Sequence, residues 1–137
     1  MRKLTAAQAI QLDILNKVLI EEGIYDPNFT IPDEAIDSIE DYISDTFGVE
    51  IQSAYFDYLY DFRDSGEESN IPCETSRYYE SESRATRLSS GEWVGWTYWY
   101  GGGKHSYPGE INWLEGAYYL KEPKPKTIII YEFEKED

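Results

Sequence analysis

An α+β chain of the order ααα-ββαβ, an N-terminal three-helix unit packed with a three-stranded antiparallel sheet plus one helix, is what this sequence predicts. Two observations carry the prediction. Apolar residues recur at helical spacing through the first 64 residues, and β-branched and aromatic residues dominate short runs after residue 73. A polar stretch at residues 65–72, with Gly66, Asn70 and Pro72 as breakers, separates the two patterns. With 137 residues and 16% aromatic content, including thirteen Tyr and four Trp, the chain reads as a single domain able to bury a core. An acidic helical half at 1–64 joins an aromatic half at 73–137.

Thr5 with Gln8 three residues on forms a capping box, and Ile10, Ile14, Leu15, Val18 and Leu19 mark one face until Gly23. The first helix is therefore expected at residues 5–22. Pro32, flanked by Thr30 and Asp33, starts a second helix with an Ile36/Ile39/Ile43/Phe47 face, which Gly48 ends. Ile51, Tyr55, Leu59 and Phe62 give a third helix the same period. Residues 74–88 read as a strand, Ser89-Ser90-Gly91 as a hairpin turn, and residues 92–100 as a second strand. Ile111, Leu114, Ala117 and Tyr118 suggest a fourth helix, broken by Pro123 and Pro125, and TIIIYEFE at 127–134 reads as a third strand. A right-handed crossover then gives the sheet order 2-1-3.

Charge is the strongest functional signal. The formal net charge is −15, and residues 33–68 hold twelve Asp/Glu against one basic residue, Arg63. Like charges one turn apart cost a helix roughly 0.2–0.5 kcal/mol per pair, so an unrelieved acidic face implies a basic visitor. Glu34, Asp37, Asp41 and Asp45, flanked by Glu40, fall opposite the apolar face of the second helix, and Asp57, Asp61 and Asp64 form a row on the third. Carboxylates at i, i+4 and i+8 are spaced at the 5.4 Å helical pitch, not far from the spacing of nucleic-acid phosphates. Such a surface excludes direct binding to nucleic acid or an anionic membrane and favours a basic protein. An ordinary solvated face and carboxylate-bound divalent cations are the alternatives. No calcium loop of the D-x-[DN]-x-[DN]-G type is present, and no metal or cofactor is expected.

A second feature is the aromatic strand. Alternation sets Trp93, Thr97 and Trp99 on one face and Val94, Trp96, Tyr98 and Tyr100 on the other. Trp96, Tyr98 and Tyr100 are candidates for apolar contacts with a partner or a homodimer, unless both faces are covered. The following Gly101-Gly102-Gly103-Lys104-His105 loop matches neither phosphate-binding glycine motif, yet Trp93 or Trp99 with Lys104 and His105 would suit a nucleotide or other small ligand. No catalytic residue is identified: His105 is the single histidine, and the one cysteine, Cys73, has no basic neighbour in sequence to activate it. One cysteine and the absence of a signal peptide or membrane span point to the cytoplasm.

The segment GEWVGWTYWYGGGKHSYPGEINW at residues 91–113 resembles one found in small proteins of bacteriophages, prophages and other mobile elements, a likeness that reaches from Tyr78 to the end of the chain. In those proteins an acidic residue and Pro tend to follow the His, where this chain has Ser106-Tyr107-Pro108. No activity comes with the resemblance. It implies a host-cell cytoplasmic setting and, by analogy with acidic inhibitors from mobile elements, a non-enzymatic anti-CRISPR or anti-restriction role against a basic host defence nuclease.

Overall fold

The computed structural model describes residues 3–102, 107–108 and 111–136. Its elements are α1 (Ala6–Glu21), a 3-10 segment (Asp33–Ser38), α2 (Ile39–Phe47), α3 (Val49–Arg63), and strands β1 (Glu67–Glu68), β2 (Glu80–Arg87), β3 (Trp93–Tyr100) and β4 (Tyr118–Leu120). Three α-helices and a four-stranded antiparallel sheet make the fold α+β.

The capping box forms as expected. The Gln8 amide donates to Thr5 Oγ1 at 3.2 Å, and the Thr5 amide donates to Gln8 Oε1 at 3.0 Å. Ile10, Ile14, Leu15, Val18 and Leu19 are all buried, against Ile39 and Ile43 of α2, Tyr55 and Phe62 of α3 and Val94 and Trp96 of β3. Asp13, also buried, accepts from the Ser89 amide at 3.3 Å and pairs with Lys17 at 3.2 Å, tying α1 to the β2–β3 turn.

The sheet is a meander in the order β1-β2-β3-β4. β2 and β3 pair over their whole length, from Glu80 opposite Tyr100 to Arg87 opposite Trp93. The Val94/Trp96 face meets the helices: the Trp96 ring lies 4.8 Å from Phe62 and 5.9 Å from Trp113, and its Nε1 donates to the Arg63 carbonyl at 3.1 Å. Segment 69–74 runs beside β2, where the Ser83 and Ser81 hydroxyls donate to the Ile71 and Glu74 carbonyls at 2.5 and 2.6 Å.

Four expectations fail here. The sheet has four strands and not three, because Glu67–Glu68, in the polar stretch expected to break the chain, pairs with Ala85 and Arg84 of β2. The fourth helix does not form; Trp113, 8% exposed, fills the core from a loop and stacks on Phe62. TIIIYEFE makes no strand and stands exposed, so the third strand after the hairpin is Tyr118–Leu120 instead. That strand joins the far side of β3, opposite Trp93, Val94 and Gly95, so the 2-1-3 order is replaced by consecutive neighbours. The reason is local. Pro123 and Pro125 remove backbone donors just after β4, and a short return from the loop reaches the β3 edge without any crossover.

Candidate partner-binding surface

The expected carboxylate row on one second helix is interrupted. Ser38, at φ −141° and ψ 54°, separates a 3-10 segment carrying Glu34 and Asp37 from α2 carrying Glu40, Asp41 and Asp45. These residues therefore do not share one helical repeat, and the i, i+4, i+8 spacing fails across the junction. The break turns Asp37, Glu40 and Asp41 toward α1 instead. They line an open cleft of about 660 Å³ with Gln8 and Gln11 from α1 and Leu114 and Glu115 from the loop before β4.

Within the cleft, Gln8 Nε2 donates to Asp37 Oδ1 at 3.2 Å. Partial burial and then the neighbouring Asp41 charge raise the Glu40 pKa, so negative charge is already crowded at this point. Behind it, Tyr55 is fully buried, with Gln11 within reach of its hydroxyl. Burial raises the Tyr55 pKa, Gln11 opposes the shift and Glu40 adds to it. Carboxylates from the 3-10 segment and α2 and from the loop before β4, with the α1 amides beside them, suit an ammonium or guanidinium group donated by a visitor.

The remaining acidic residues lie elsewhere. Glu34, Asp45 and Asp57 are exposed, and among the described residues no cation pairs with them or with Asp41 or Asp61. Asp61 gathers with Glu21 and Glu22 around Tyr58; partial desolvation and these charges raise its phenol pKa. Asp64 is matched by Arg63 at 2.7 Å.

The aromatic candidates divide. Trp96 is 0% exposed and cannot touch a partner, because alternation points it into the helices. Tyr98 and Tyr100 are half-buried and stacked, with centroids 5.6 Å apart. Arg63 and Arg84 guanidinium groups lie 4.8 and 4.4 Å from the Tyr98 ring centroid. Arg63 is buried, and it also donates to the Trp99 carbonyl, so the one basic residue of the acidic stretch serves the core and neutralises only its neighbour Asp64 at the surface. Around Tyr100, partial desolvation and then Glu80, Glu82 and Glu68 raise the phenol pKa, while Arg84 opposes them.

Of the small-ligand candidates, Trp99 is buried at 7% exposure and cannot stack on a ligand from solvent. Trp93 lines a groove with Ala85 and Leu120. Lys104 and His105 lie outside the described residues. Among the described residues, no group of three or more His, Cys, Asp or Glu side chains is arranged to hold a metal ion.

Sequence reasoning missed Gln8, Gln11 and Glu115 as cleft residues, and Glu21 and Glu22 as companions of Asp61. The spacing of Gln8 and Gln11 beside the buried stripe of α1 was the available signal. Glu115 offered none, since its place depends on a loop that replaces a helix. Comparison with protein-family models, curated proteins and solved structures finds no match to this chain.

Proposed function

We propose that this protein is a non-enzymatic inhibitor from a phage or other mobile element that occupies the basic nucleic-acid-binding surface of a host defence nuclease. The observation that carries the reading is the cleft between α1, the 3-10 segment, α2 and the loop before β4, which Asp37, Glu40, Asp41 and Glu115 line together. A protruding lysine or arginine of the target enters this cleft, and exposed Glu34, Asp45 and Asp57 add a wider attractive field. Tyr98 and Tyr100 supply contact area beside Arg84. The likeness of the aromatic segment to mobile-element proteins supports the setting, and the formal charge of −15 supports a basic target over nucleic acid itself.

The test is capture of host nucleases on the immobilised chain at low and high NaCl, followed by kinetics on the captured nuclease. Replacing both Asp41 and Glu115 by Lys should slow association about ten-fold or more at low ionic strength, with the difference shrinking as salt screens the charges. An affinity that is flat across salt, or unchanged in the double variant, would remove the reading.

A further inference from the structure

The segment at residues 127–133 presents five large apolar side chains to solvent. Ile128 is 66% exposed, Ile129 80%, Ile130 81%, Tyr131 75% and Phe133 89%. A contiguous run of this kind, rich in β-branched and aromatic residues, marks an interaction surface and not an ordinary solvated tail. Extended alternation puts Ile129, Tyr131 and Phe133 on one side, and the Tyr131 and Phe133 rings lie 6.5 Å apart.

The same molecule carries a matching receptor. A groove of about 660 Å³ is lined by Ala85, Trp93 and Leu120 of the sheet, by Ile71 and the Glu67/Glu68 carboxylates, and by Lys121 and Pro123 at the start of the link to the arm. It opens beside β4, an edge strand with backbone groups available for pairing. We propose that the 127–133 arm of one copy seats in this groove of a second copy, so that two chains form a reciprocal arm-exchanged dimer.

Three observations select a second copy as the occupant. The link at residues 121–126 contains Pro123 and Pro125, which hold it extended over roughly 19 Å at about 3.1 Å per residue and oppose a tight return onto the chain's own β4. Beyond Lys121, which lines the groove of its own chain, Lys124 and Lys126 keep the outer link basic, complementary to the Glu67/Glu68 carboxylates and to a body whose net charge is strongly negative. Reciprocal exchange of two arms would bury on the order of 1,500 Å², within the range of stable interfaces. Segment exchange needs only the one self-complementary pair of surfaces, which the chain supplies twice in a dimer.

Light scattering coupled to size exclusion tests this on the full chain. The expected mass is twice the 16.0 kDa of one chain. Ile129→Asp with Tyr131→Asp should halve it, as should Ile71→Arg on the groove wall; both changes are at exposed positions, and circular dichroism checks that the fold is kept. Mixing the arm variant with the groove variant should restore a dimer, because one retains the groove and the other the arm. A monomeric parent across a hundredfold concentration range overturns the proposal. So does a dimer that survives the arm changes, or one that survives Ile71→Arg, which would place arms against each other or elsewhere. This outcome is independent of nuclease binding, which depends on the acidic cleft.

Discussion

Glu40 shows how a single residue records the design of the acidic surface. Its carboxyl pKa is raised, first by partial burial and then by Asp41, so folding favours its protonated form. For an acid with a raised folded pKa, the folded state holds the proton more tightly, so stability is retained below the unfolded pKa and lost as pH climbs through the folded one. Glu40→Gln removes that loss. The variant should melt at a higher temperature than the parent at neutral pH, and the gap should close as pH falls below the ordinary carboxylate range. Melting curves from acid to neutral pH check it; an equal gap at all pH values would mean the effect is steric. Arg63 makes the complementary point. The sequence identified it as the lone cation among twelve acids, yet its burial against the Tyr98 ring and the Trp99 carbonyl depends on one strand, β3, more than thirty residues away, which no local pattern discloses.

At the scale of elements, local signals succeed where they are chemical and fail where pairing decides. Thr5, Gln8 and Gly23 delimit α1 because caps are short-range hydrogen bonds, and Ser89-Ser90-Gly91 sits at the β2–β3 turn for the same reason. Gly48 was legible as a stop. The structure adds that it is also the sole residue between α2 and α3, at φ 95° and ψ 174°, a region available almost only to glycine. Gly48→Ala has open space for its methyl, so its cost is conformational: about 1–3 kcal/mol in chemical denaturation, with no cavity or clash to blame. A loss below half a kcal/mol would show that the junction relaxes. By contrast, Ile111, Leu114 and Ala117 carry helical spacing without becoming a helix, because Trp113 between them is drawn onto Trp96 and Phe62. The isoleucines of TIIIYEFE have strand propensity, but propensity cannot supply an edge within reach. The candidate cleft was half legible: the acids were named from sequence, whereas their convergence on Gln8, Gln11 and Glu115 follows from the break at Ser38.

At the scale of the whole molecule, the fold carries its charge against a standing electrostatic cost. The surplus of 27 acidic over 12 basic residues produces self-repulsion that compaction intensifies, and among the described residues few of these carboxylates are paired. Screening length falls from about 10 Å at 0.1 M salt to about 3 Å at 1 M, so added NaCl weakens repulsion between carboxylates on neighbouring helices far more than it weakens the direct 2.7 Å Arg63–Asp64 contact. The melting temperature should therefore rise with NaCl over the range in which binding to a basic partner falls. Opposite salt responses of folding and binding are the signature of a surface whose charge serves a visitor rather than the fold. Neutralising Asp41 and Asp45 together, as Asn, should raise stability at low salt and flatten its salt dependence, measured by calorimetry at several NaCl concentrations. If the parent melts at the same temperature at all of them, the acidic surface is internally balanced, and the electrostatic basis of the proposed inhibition goes with it.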